Sequence, residues 1–365
     1  MTPESRVMMT KRFGFLVLMF SFLMSTSMMA SDSHSESGEL SIKEQIKKDI
    51  DHHLKDSHSF HLWGDHDKGT AVGFPLPIIL WDGQLHFFSS SEFHHHDNGV
   101  VESKGTFFKE YHSKIYITDA EGSIHYGEDH FVSNEKPIDF SITKNVFSLI
   151  IISALIFWIF STVAKRYKND PVPRGMAKIF EPLVIFVRDE IAIPNIGEKH
   201  YKKYMNYLLT VFFFIWMVNL FGQTPLGINI TGNIAITFAL ALITFLITTF
   251  TANKNYWGHI FWMPGVPYLM RVVLAPIEVL GMFIKPFALL IRLYANISAG
   301  HVVIMSIIGL LFVFQNWFAR GAFLGLGLFL SVIELLVAFL QAYIFTMLSA
   351  LYFGSAVEEH HHDDH

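Results

Sequence analysis

The chain contains no cysteine. Disulfide bridges and thiol chemistry are therefore excluded, and redox compartment is left undetermined. Charge is also scarce: Asp, Glu, Lys and Arg make up 16% of 365 residues, where a soluble domain carries about 25%. The deficit is local, because Tyr204 to Asn253 is a run of 50 residues with none of the four. Such a run fits two membrane spans of about 20 residues with a connection, and is too long for one core helix. The membrane core lacks His-Glu-x-x-His and any paired-aspartate site, which argues against an intramembrane enzyme. No repeated halves with matching broken helices occur, as a stand-alone secondary transporter would favour. What the chain does have is apolar bulk: 51% hydrophobic residues and 36 Phe.

These features predict an all-α, polytopic integral membrane protein with a small polar N-terminal extracytoplasmic region. Residues 1–30 read as a signal peptide: Lys11 and Arg12, a short apolar core from Phe13 to Leu23, and Ala30 before polar Ser31. Residues 31–140 are polar and His-rich and are expected in the periplasm. Lys43 to Lys55 has the pattern of a short helix, while Phe74–Trp81 and Lys114–Thr118 read as strands or extended pieces. His94-His95-His96-Asp97 is a candidate transition-metal site or a solvated loop, with no spaced ligand pairs to fix a geometry. Residues 141–365 form the expected membrane domain, with spans near 146–164, 205–221, 233–251, 271–314 and 320–353. Nine Lys/Arg between 165 and 203 place that loop in the cytoplasm. Met176 to Ile193 is a helix of that loop, soluble or lying on the membrane surface. The C-terminal residues 358–365 then also lie in the cytoplasm. The last two spans are longer than a perpendicular helix needs, so they must tilt, bend or run partly along the membrane.

One residue stands out within those spans. Arg292 lies in an apolar stretch, where an arginine costs roughly 2.5–3.5 kcal/mol on insertion scales. Arg271, Glu278, Lys285 and Arg292 are spaced by seven, a slowly drifting stripe on a helix that lipid cannot solvate. Folding the last two helices about residue 317 puts Arg292 level with Gln341 and His301 level with Glu334. The two layers lie about 13 Å apart by helical rise, and Asn296 sits one turn from Arg292 on its face. His and Glu exchange protons near neutral pH when tuned by their surroundings, whereas Arg does not. The arrangement suits a proton route ending at a fixed positive charge. A purely structural pairing of the same residues is the alternative.

At Ala288-Leu-Leu-Ile-Arg292-Leu-Tyr-Ala-Asn296-Ile-Ser-Ala-Gly300 the chain resembles subunit a of the rotary F-type ATP synthase, of bacterial type. Asn219-Leu-Phe-Gly222 before Pro225, Asn233 and Leu340-Gln341-Ala342 match as well, so the resemblance covers about residues 205–357. It implies a non-catalytic, proton-translocating stator subunit with no cofactor and no bound metal. The last two helices would form a tilted hairpin facing a c-ring. Partners would be that c-ring (the subunit c oligomer), the subunit b peripheral stalk and the rest of the F1Fo complex, in the cell inner membrane, with no nucleic acid. Arg292 would face the c-subunit carboxylate. Gln341 and Asn296 would support it, and His301 and Glu334 would occupy the relay positions. Asn219, Asn233, Glu278 and Lys285 are candidates for half-channel lining. Two departures stand out. The acid and the histidine of the relay are exchanged between helices, and Gly222 stands where some members carry an aspartate. A stand-alone proton-coupled transporter is the alternative function.

Overall fold

The computed structural model describes residues 56–63, 72–95, 98–127, 130–167, 172, 175–224, 230–262, 267–314 and 316–358. All belong to one unit, Gln45–His365; the other, Met1–Glu44, lies outside the described residues, as do the expected signal peptide and the expected helix Lys43–Lys55.

The segment before the first long helix is built from strands. The stretch Phe74–Trp81 divides at Leu76 because Pro75 and Pro77 on either side both lack an N–H for a ladder. Strands β1 (Ser59–Trp63) and β2 (Val72–Pro75) pair antiparallel. Strand β3 (Pro77–Trp81) lies between β4 (Leu85–Ser89) and the short β8 (Ile138–Asp139). A four-residue helix, α1 (Glu92–His95), leads to a meander of β5 (Val100–Ser103), β6 (Thr106–Tyr111) and β7 (Lys114–Thr118). The two-residue turn from Ser103 to Thr106 has both central residues at positive φ, 52° at Lys104 and 87° at Gly105. That geometry matches the right-handed twist of a hairpin. Ile78, Leu80, Phe88, Phe93, Val101, Phe108 and Ile115 make the core of this unit.

From Lys144 onward the chain is helical. Helix α2 (Lys144–Tyr167) ends on Lys165 and Arg166, which favour a helix C-terminus. A helical segment follows as α3 (Met176–Phe186), a π-helical turn (Val187–Ala192) and α4 (Ile193–Ile196). Pro194 explains the wide turn: it has no N–H, and its ring clashes with the carbonyl four residues back, so the ladder opens just before it. Helices α5 (Tyr201–Gly222) and α6 (Ile234–Thr251) take up the neutral run. The connection Asn253–Pro267 holds a helix that the sequence reading missed, α7 (Lys254–Phe261). Helices α8 (Tyr268–Val313) and α9 (Trp317–Val357) are the long pair. Among the described residues five helices are long and apolar enough to cross a membrane: α2, α5, α6, α8 and α9.

The main core lies where α5, the π-turn and α4 meet the C-terminal half of α9. Tyr204 stacks on Phe353 with ring centroids 4.6 Å apart. The Asn253 side chain donates to the Val357 carbonyl (3.1 Å), and its backbone N–H donates to Ala356 (2.8 Å). Gly354 packs so close to α4 that a Cβ there would overlap the Asn195 carbonyl. This end of α9 is therefore anchored in the core, while its N-terminal part packs on α8, as where Phe323 meets Phe314 at 5.3 Å between ring centroids. Only 6% of the most apolar window of α9 is buried, and 11% of that of α8.

Candidate functional site

The anchored half of α9 sets the position of its polar residues. Gln341 is buried at 2% exposure, and its Oε1 accepts a hydrogen bond from Asn296 Nδ2 at 3.0 Å. The hydrogen-bond partner of Gln341 is thus Asn296, one turn beyond Arg292. A hairpin count that treats the helices as straight and parallel levels Gln341 with Arg292 instead. Arg292 itself is exposed, and among the described residues it has no carboxylate or hydrogen-bond partner. Its neighbours Ile291 and Phe287 are exposed as well. Tyr352 lies within electrostatic reach of the guanidinium.

Glu334 packs against the backbone of α8. A Cβ built on Gly300 would stand 2.8 Å from Glu334 Oε1 and 3.4 Å from Cδ. The carboxylate thus occupies space that any larger residue at 300 would claim, one position before His301. The His301 side chain lies outside the described part of the structure.

The remaining candidates divide by what they touch. Asn219 is buried; it donates to the Ala338 carbonyl (3.5 Å) and accepts from Thr231 (3.1 Å), tying α5 to α9. Asn233 caps α6 by accepting from Ala235 N (3.0 Å), and its amide reaches Asp56 Oδ2 at 3.4 Å. Lys285 Nζ lies over the Tyr352 ring, 5.6 Å from its centroid. Both border a narrow cleft with Thr244, Thr248, Tyr256 and Leu289. Glu278 lies within electrostatic reach of Tyr256. Arg271, the first member of the stripe, sits over Trp262 at 4.9 Å. Among the described residues no three His, Cys, Asp or Glu gather as a metal site. Of the His94–Asp97 cluster, His96 and Asp97 lie outside the description.

Two residues beside the strand region escaped the sequence reading. Asp56 accepts from Thr143 Oγ1 (3.0 Å), from Asn145 N (3.1 Å) and from Asn233, so it joins the N-terminal segment to the starts of α2 and α6. His58 is buried between Asp139 (3.0 Å) and Glu110 (3.2 Å). Burial alone lowers its pKa, but the hydrogen bonds to Asp139 and Glu110 outweigh that and push it up to about 9. No local pattern marks either residue, because their partners are far away in the chain.

Comparison with known proteins matches residues 146–354 to the family described as ATP synthase A chain. Residues 49–140 match a domain of unknown function (DUF8433). The ATP synthase subunit a of Chloroherpeton thalassium is 43% identical over 232 residues, covering 62% of this chain and 69% of that protein. The ATP synthase subunit a 2 of Chlorobaculum tepidum is 42% identical over 250 residues, with 66% and 70% covered. The ATP synthase subunit a of Myxococcus xanthus is 43% identical over 240 residues, with 62% and 77% covered. With the family match spanning the five apolar helices and the Arg292 segment, the chain belongs to the ATP synthase A chain family.

Proposed function

We propose that this chain is the proton-translocating stator subunit of the Fo sector of a rotary ATP synthase, a non-catalytic part of that complex in the inner membrane. The observation that carries the reading is Arg292, an exposed cation midway along an apolar helix with no acid partner among the described residues. A permanent charge there calls for a carboxylate from outside the chain, and a c-ring moving past α8 and α9 would supply one. Two unit charges 4 Å apart attract by about 4 kcal/mol at an effective dielectric of 20. That equals roughly three pKa units, enough to hold the passing carboxylate ionised.

Protons enter from the periplasmic side and pass Glu334 and His301 to the ring carboxylate. They leave towards the cytoplasm after the ring has turned. Arg292 separates the two paths, because it does not release its proton. Asn296 and Gln341 fix the helix pair beside it. Asn219, Asn233, Glu278 and Lys285 border the half-channels. A subunit b stalk holds the chain against rotation. The N-terminal region, 31–140, lies in the periplasm behind a signal peptide, and the C-terminus lies in the cytoplasm. Arg292→Ala in inverted membrane vesicles tests the reading. ATP-driven proton pumping is expected to disappear while the complex still assembles; coupled pumping in that variant refutes it.

A further inference from the structure

The sheet β4-β3-β8 has one packed face and one bare face. Strand alternation places Ile78, Leu80, His86, Phe88 and Asp139 on the packed side. The other side carries Ile79, Trp81, Leu85, Phe87 and Ile138, and Phe140 continues the same alternation. Its remaining members, Pro77 and Ser89, are uncharged too. Five of these side chains, from Trp81 at 45% to Phe87 at 70%, are exposed. Aromatic side chains bring about 150–250 Å² each, so the patch reaches the few hundred Å² at which an apolar surface implies a partner.

We propose that this face lies in the outer interface of the membrane beside α2, covered by lipid. Val146 to Ala164 are 19 apolar or small residues, about 29 Å of helix, which matches the roughly 30 Å hydrocarbon layer. Lys144 then lies in the headgroup layer. Phe140 is four residues earlier, within about 15 Å of it by chain length. The sheet is also held at that level: Phe140 N donates to Ile79 O (2.9 Å), Ile142 N to Pro77 O (3.2 Å) and Lys144 N to Ser57 O (2.9 Å). Within the next residues, α2 exposes Val146, Ile150 and Ile151, so the apolar surface continues into the span. Trp and Phe are side chains suited to that layer, with Trp81 able to direct its N–H to water or headgroups. The strand residues of this face carry no charge, and the ammonium at its edge, Lys104 Nζ, is bound to the Leu85 carbonyl, within reach of headgroups.

The test uses the assembled complex in its native membrane, with Phe87 replaced by photoreactive benzoylphenylalanine. After illumination, mass spectrometry of the subunit is expected to find a phospholipid adduct. A cross-link only to protein, whether another subunit or a second copy of this chain, overturns the proposal, and so does the absence of any adduct. Proton pumping in the same membranes, measured separately, reports assembly and bears on the stator reading independently of the cross-link.

Discussion

Replacing Gly300 with alanine changes two quantities in opposite directions. Alanine is favoured over glycine inside a helix by about 1 kcal/mol. Its Cβ, however, would stand 2.8 Å from Glu334 Oε1 and 3.4 Å from Cδ, where ordinary carbon contacts need about 3.5–4.0 Å. The carboxylate has to withdraw by about 1 Å. It is the far end of a flexible side chain, so rotation about its χ angles suffices, at a cost of order 0.5–1.5 kcal/mol. The two terms nearly cancel, and the melting temperature of the complex is expected to stay within a few degrees. Proton transfer is far less tolerant, since a 1 Å misplacement of a reacting group costs on the order of 10²-fold. Passive proton flux through Fo and ATP-driven pumping, both read with a pH-sensitive dye in vesicles, are expected to fall at least tenfold. Unchanged flux in the single variant at unchanged stability refutes the role given to Glu334.

Asn296→Ala leaves the buried Gln341 Oε1 without its donor and should cost about 1–3 kcal/mol, whereas Asn296→Leu with Gln341→Leu should be close to neutral; thermal melting of the four-membered cycle checks this, and strict additivity contradicts it. Gly354→Ala drives a Cβ into the Asn195 carbonyl, a backbone atom that cannot step aside; a loss of about 1–3 kcal/mol is expected, and a melting curve like that of the parent refutes the close approach. The His58 pKa is pushed up to about 9 against 6.5 unperturbed, so the folded strand region binds the extra proton between those values. Its contribution of up to about 3 kcal/mol is complete below about pH 6.5 and is lost as pH rises through 9. Hydrogen exchange at the Phe60 and Leu76 amides, corrected for intrinsic rates, should quicken across that window, and His58→Gln should flatten the dependence. A flat profile in the parent chain contradicts the buried imidazolium.

The five long helices were legible because an apolar window of 18 residues is a local property, and α2, α5, α6, α8 and α9 each contain one. Helix α7 was not, since eight residues between two spans carry too short a pattern to separate from a loop. In the segment before α2, Lys114–Thr118 shows its alternation, but β5 and β6 are recognisable mainly by their pairing, such as Val101 with Phe108, which sequence does not display. The expected level pairing of Arg292 with Gln341 rested on equal rise from one pivot. The contacts drift instead: Glu334 meets Gly300, while Gln341 meets Asn296, three residues away from that register. Asp56 and Asn233 were beyond reach, because 177 residues separate them and neither is unusual in its own surroundings.

The polar groups of the membrane region separate into two kinds, and the separation bears on function. Gln341 is buried and bonded to Asn296; Asn219 is buried and bonded to Thr231 and Ala338; Asn253 closes the last carbonyls of α9. These groups hold helices together, and each finds its partner inside the chain, as a group with a structural role must in a medium that offers no water. Arg292 differs, being exposed and unpaired among the described residues. An arginine retained only to brace the fold would be expected to meet an internal acid, because leaving it bare to lipid costs several kcal/mol. A bare one on the exposed face of α8, opposite the buried Leu289, Leu290 and Leu293, is stable only when the charge that neutralises it comes from a neighbour. On the stator reading proposed above, that neighbour carries its acid at the depth of the hydrocarbon layer and is able to leave, since a permanent ion pair at Arg292 would trap the proton carrier.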